Sequence, residues 1–275
     1  MFRDITIGQY YPVNSILHRL DPRVKLLGTV VYIAAIFIIN NIWGLVLLSA
    51  VLAVLIIMSE VSPGHIFKGL RIMIFLIAMA MFFNLFFTDG TIIWKWWIFR
   101  FSVEGIIRAV FFAVRLVLIV LGSSLLTYTT TPSDLTAGLE SVFSPLKAIH
   151  FPAHEIAMMM SIALRFIPIL SEEVNKIIKA QLARGADFET GGIIKRAKGM
   201  IPILIPLFVS AFRRASDLAT AMEARCYHGG EGRTRLNPLK TRRPDVAAYV
   251  IMGVYLALII AVRILMSRYL TWGRI

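Results

Sequence analysis

Residues 26–39 read LLGTVVYIAAIFII, and after a short Asn40-Asn41 turn residues 43–58 read WGLVLLSAVLAVLIIM. Neither run holds a charged residue. Their apolar residues are clustered, without the polar stripe of a helix at a water-facing surface. A helix crossing the hydrocarbon core of a bilayer needs roughly 20 mostly apolar residues, so the two runs read as consecutive membrane spans. Asp21-Pro22 immediately upstream supplies an N-cap and a first-turn proline, the usual opening of a helix.

The same pattern recurs at residues 72–87, 104–128 and 246–265. Over the 275 residues, 58% are apolar, only 16% are charged, and the mean hydropathy is +0.76. Soluble domains carry about 25% charged residues. The fold class is therefore an all-α integral membrane protein with about five transmembrane helices. Residues 88–102 interrupt the pattern: Asp89-Gly90 is a turn signal, and the aromatic, β-prone stretch after it reads as an interfacial loop or hairpin. Trp94, Trp96 and Trp97 suit the aromatic belt. Arg108 lies near one end of the fourth span and can snorkel. Arg115 is deeper, and either snorkels or faces another helix.

The net charge of +13 is not a nucleic-acid signature, because the Lys and Arg residues lie between and beside the apolar runs. Cys226 is the only cysteine, which excludes an internal disulfide. Residues 1–20 lack an apolar h-region, so a cleaved signal peptide is not expected. Sixteen Lys and Arg residues fall between Thr131 and Pro244, and the positive-inside rule puts that segment in the cytoplasm. The chain thus divides into membrane helices over 1–130, a cytoplasmic domain over 131–244 and a last membrane helix over 245–275. Within the middle segment, residues 156–170 and 200–212 are strongly apolar but short and proline-bearing. They read as core, interfacial or partly inserted helices.

Two long helices organise this segment. One runs from near Ala153 to near Arg184, with a kink expected at Pro168 and an apolar stripe at Val174, Ile177, Ile178 and Leu182. The other runs from near Met200 to near Arg225, with Ala215, Leu218, Ala219 and Met222 on one face. The first closes with Ala183-Arg184-Gly185 and the second with Ala224-Arg225-Cys226. An arginine at a helix C-terminus gains about 0.3–1 kcal/mol from the macrodipole, which accounts for either one alone. Two matching ends suggest more. A guanidinium forks onto a carboxylate as an ammonium cannot, and two such tips suit a partner with two similar grooves.

Several stretches together resemble a known family. They are Leu20-Asp-Pro-Arg-Val-Lys25, Thr131-Pro-Ser-Asp-Leu-Thr-Ala-Gly-Leu-Glu140, Ala163-Leu-Arg-Phe-Ile-Pro168, Ala180-Gln-Leu-Ala-Arg-Gly185 and Ala221-Met-Glu-Ala-Arg-Cys-Tyr227. In this order, and over essentially the whole chain, they resemble the transmembrane T component (EcfT) of energy-coupling factor transporters, a branch of the ABC importers. The resemblance implies that residues 131–244 are a coupling domain. It implies that Ala183, Arg184 and Gly185, and Ala224, Arg225 and Cys226, dock into grooves of two ATP-binding cassette subunits. It further implies a membrane-embedded substrate-capture (S) component resting on an apolar platform that includes Met159 and Ile203. The import of a vitamin or related micronutrient follows, with the chain in the bacterial plasma membrane. Cys226 departs from the family's usual glycine, and a glycine's freedom at positive φ is lost there. Thr131, Pro132 and Asp134 also match, though an N-cap, first turn and N3 acid explain them.

No G-x-x-x-x-G-K-[ST] stretch occurs, so the chain builds no ordinary P-loop. ATP and Mg²⁺ are expected on partner subunits, with no cofactor, metal or catalytic residue on this one. A secondary transporter would need buried ionisable groups, which the first three spans almost lack. For a metalloenzyme, His150 and His154 are separated by Pro152 and lack the Glu of H-E-x-x-H. A conventional ABC permease with its own substrate path is the nearest alternative.

Overall fold

In the computed structural model the described residues are 10–87, 92–96, 99–149, 151–186, 188, 192–229 and 239–269. The chain forms two compact units, one of Glu140–Pro238 and one of Gly8–Leu139 with Leu239–Ile275. The boundary falls nine residues beyond Thr131, inside a helix.

The unit of Gly8–Leu139 with Leu239–Ile275 begins with a helical turn, α1 (Ile16–Arg19), followed by α2 (Pro22–Ile38), α3 (Ile42–Ser59) and α4 (Pro63–Phe87). Two short strands, β1 (Ile92–Trp96) and β2 (Phe99–Ser102), form an antiparallel hairpin, where the sequence left loop and hairpin open. Trp97 and the side chains of Trp94 and Trp96 lie outside what is described. Then come α5 (Val103–Thr129), α6 (Pro132–Phe143) and, after a 3₁₀ stretch, α7 (Ala153–Ala183), α8 (Ile193–Ala224) and α9 (Arg243–Tyr269). Among the described residues, five helices are long and apolar enough to cross a bilayer. They are α3, α5, α7, residues 198–224 of α8 and residues 243–264 of α9, with 73–87 in α4 a shorter apolar stretch.

Helix α5 is the spine of this unit's helices, packed against α2, α3 and α4. Gly122 lets α2 come close, since a Cβ there would lie 2.5 Å from the Tyr32 ring. The core gathers Ile36, Leu48, Leu52, Leu118, Leu121 and Ile259. Large apolar side chains point away from it, with Phe75 on α4 78% exposed. An apolar exterior suits lipid as solvent. Arg115 faces another helix: its guanidinium donates to the carbonyl of Ile39, the C-cap of α2, and to Asn40 Oδ1 at 3.1 Å. It caps carbonyls that otherwise lack donors.

The stretch Leu20–Lys25 ties chain ends together. The Asp21 side chain accepts from Arg23 N at 2.9 Å and caps α2. The Asp21 amide donates at 2.8 Å to Asp245, which is 1% exposed, and the other Asp245 oxygen accepts from Arg242 N at 2.6 Å. One carboxylate thus serves the N-termini of both α2 and α9, where the helix dipole favours negative charge. Lys25 Nζ donates to the carbonyls of His18 (3.0 Å) and Thr129 (2.8 Å). Next to it, the His18 ring lies 3.0 Å from the Tyr11 carbonyl through Nε2 and 2.7 Å from Ser15 Oγ through Nδ1. A carbonyl can only accept, so Nε2 carries the proton and Nδ1 accepts from the serine. Burial lowers the His18 pKa below its ordinary value, against the opposing hydrogen bond to Tyr11.

Candidate functional site

The candidate site lies in the Glu140–Pro238 unit, on α7 and α8. Thirty-one and thirty-two residues make helices of about 46–48 Å. The start of α8 at Ile193 precedes the expected Met200, because its first turns are rich in Lys and Arg and carry no apolar run to mark them.

Each helix ends in the same hydrogen-bonded figure. At the end of α7, Arg184 is the C-cap, Gly185 N donates to Leu182 O, and Ala186 N donates back to Gln181 O, both at 3.0 Å. At the end of α8, Arg225 is the C-cap, Cys226 N donates to Glu223 O at 2.8 Å, and Tyr227 N donates to Met222 O at 3.0 Å. These are two complete Schellman motifs, in which C′ and C″ amides close the last carbonyls. The arginines share a backbone setting, with φ −89° and ψ 5° at Arg184 and φ −94° and ψ 16° at Arg225. The C′ residues are left-handed, Gly185 at φ +83° and Cys226 at φ +55°. Cysteine does not abolish the turn. It adopts the glycine conformation under strain, held by the hydrogen bonds of Cys226 and Tyr227.

Ala183, Arg184, Gly185, Ala224, Arg225 and Cys226 are all exposed. Both arginines are thus presented on small-residue tips. Helix α7 runs antiparallel to α8 where they meet: Glu173 pairs with Arg214 at 3.6 Å, and eight residues on, Gln181 Nε2 donates to Pro202 O at 3.4 Å. The second contact has a local cause. Pro206 has no N–H for the carbonyl four residues earlier, so Pro202 O is left open and Gln181 fills it. The sequence reading missed this clasp, although Pro206 was the available signal. Antiparallel helices with C-terminal tips present the two arginines on opposite sides of the crossing.

The two platform residues part company. Met159 on α7 is 58% exposed, whereas Ile203 on α8 is 8% exposed. Met159 thus stands open, while Ile203 is covered within this chain. Its neighbours Ile201, Leu204, Ile205, Phe208, Val209 and Phe212 instead line an open apolar groove along α8. Thr131 Oγ1 accepts from Asp134 N at 3.2 Å and donates to Asp134 Oδ2 at 2.7 Å, the N-cap and N3 acid of α6. His154 Nδ1 lies 2.9 Å from Glu140 Oε1; His150 lies outside the described residues.

Residues 13–236 match the family described as CbiQ, cobalt transport protein. Three similar proteins are each called energy-coupling factor transporter transmembrane protein EcfT. The one from Ruminiclostridium cellulolyticum is 52% identical over 94% of this chain and 97% of its own. That from Clostridium kluyveri is 46% identical over the whole of both chains. That from Thermosediminibacter oceani is 45% identical over 98% of this chain and 99% of its own.

Proposed function

This chain belongs to the CbiQ/EcfT family as the transmembrane component of an energy-coupling factor transporter, and from that premise we propose that Arg184 and Arg225 are its two couplings to ATP hydrolysis. It is a multi-pass bacterial membrane protein. Two ATP-binding cassette subunits hydrolyse ATP in the cytoplasm, each receiving one helix tip. A small membrane-embedded S component captures a vitamin or related micronutrient and rests on the apolar faces of α7 and α8, Met159 among them. The segment 131–244, with its excess of Lys and Arg, faces the cytoplasm.

The observation that carries this reading is the duplicated tip: two Schellman ends, two C-cap arginines in one conformation, both exposed. A dipole-complementing charge needs no such match. A pair of related grooves does.

The experiment replaces both arginines by alanine and measures substrate uptake and ATPase co-purification at equal membrane abundance. Removing one partner of a buried interfacial charge pair costs about 2–5 kcal/mol, against at most about 1 kcal/mol for an exposed helix-end charge. The double variant should lose nearly all uptake and most bound ATPase, and lysine should rescue neither position fully. Normal uptake would end the coupling role. In the same assay Met159→Glu should weaken S-component binding while sparing the ATPases, and equal loss of both would defeat that division.

A further inference from the structure

Arg184 lies eleven residues beyond Glu173, and Arg225 lies eleven residues beyond Arg214, the two members of the ion pair between α7 and α8. At 1.5 Å per residue each arm is about 16 Å long. Because the helices are antiparallel at this point, the arms extend in opposite directions from one shared pivot. The tips therefore stand at most about 33 Å apart, and closer as the axes cross more steeply.

Apolar packing in this unit is shallow among the described residues, with Val174, Ile177 and Ile178 of α7 and Leu207, Leu218 and Met222 of α8 only half-buried. In this unit only Ala153, Ala157 and Ile203 are buried apolar side chains, and the faces of both helices are largely exposed. The Arg214 Nε is enclosed without a hydrogen-bond partner, so the ion pair of its terminal nitrogen with Glu173 at 3.6 Å is the polar contact that orients the guanidinium. The second contact, Gln181 to the carbonyl opened by Pro206, lies three residues from Arg184. Two polar contacts separated along the helices define an angle, as one does not. An exposed pair stabilises a fold little; its value here is directional.

We propose that Glu173 and Arg214, seconded by Gln181, are positioning residues that set the angle between α7 and α8 and hence the spacing of Arg184 and Arg225. The proposal rests on the coupling reading, and it adds a regulator: both tips engage together only when the pivot holds. A lost pivot leaves each tip able to dock but breaks their concerted motion.

The test uses the full chain in lipid nanodiscs, with spin labels at Ala180→Cys and Ala221→Cys in a Cys226→Ser background. Pulsed electron resonance then reads the distance between the arms without any partner. Glu173→Arg should broaden the distance distribution, and in the assembled transporter it should cut uptake at least fivefold while ATPase co-purification persists. Exchange of the two charges, Glu173→Arg with Arg214→Glu, should narrow the distribution again and return uptake to within about twofold of the parent. An unchanged distribution in the single variant overturns the pivot. So does an exchanged pair no better than the single reversal, or a broadened distribution with full uptake. Failure of the underlying coupling reading shows separately, as normal uptake in the double arginine variant.

Discussion

Exchanging the C′ residues of the two tips tests how their conformation is maintained. The left-handed region costs a residue with a Cβ roughly 1–2 kcal/mol, whereas glycine enters it freely. Cys226 sits at φ +55° and bears that strain, and Gly185 at φ +83° does not. Nothing lies within 4 Å of a Cβ built on Gly185, so Gly185→Ala meets no steric obstacle and its effect is purely backbone. Glycine's extra freedom in the unfolded chain offsets about 0.4–1 kcal/mol of the difference. The net expectation is a loss of about 0.5–1 kcal/mol for Gly185→Ala and an equal gain for Cys226→Gly, taking one range against the other. At 1.4 kcal/mol per factor of ten, the open fraction of each helix end shifts roughly two- to fivefold. Amide hydrogen exchange reads it through the C″ amides, Ala186 and Tyr227, which close the carbonyls of Gln181 and Met222. Gly185→Ala should speed exchange at the α7 end alone, and Cys226→Gly should slow it at the α8 end alone. Slower exchange in Gly185→Ala, or faster exchange in Cys226→Gly, would refute the account.

Asp245→Ala deprives the amides of Asp21 and Arg242 of their acceptor and should cost roughly 1–3 kcal/mol for the Asp21 amide left buried and unpaired, with little more from Arg242 at the exposed end of α9; thermal unfolding of the purified chain should fall accordingly, with Asp245→Asn intermediate. For His18 the folded-state pKa is depressed below 6.5, so between that depressed value and 6.5 the unfolded chain binds a proton that the folded chain does not. Its contribution to stability is therefore complete above 6.5 and is lost as pH falls through that window, and His18→Gln should flatten that part of the stability profile.

The spans in α3, α5 and α9 were legible because their signal is local: a mostly uncharged apolar run records its solvent directly. Helices α7 and α8, read as short, reach spanning length because their apolar starts continue as helix into amphipathic turns, whereas α2, with seventeen residues, is not among the five and the apolar run of α4 is shorter. The ends of α7 and α8 were legible for a similar reason, since Ala-Arg-small is a contiguous string. What escaped depends on partners far along the chain. Asp245 serves Asp21 across 224 positions, and no periodicity connects them. Ile203 and Ile205 are the same residue type on one helix, yet one is covered and the other is 60% exposed; only the neighbouring helix decides which. The start of α8 was missed because residues 193–199 lack an apolar run, and its length comes from helical continuity past Lys195 and Lys198.

The carboxylate of Asp245 also imposes a timetable. Synthesis delivers Asp21 and the rest of α2 first, and the whole of Glu140–Pro238 emerges before α9 can supply its acceptor. Throughout that interval the amide of Asp21 waits at the head of an inserted helix without its partner, and the Ile259 position in the core stays vacant. A chain halted before Arg243 therefore lacks both the acceptor of the Asp21 amide and the Ile259 side chain of the core.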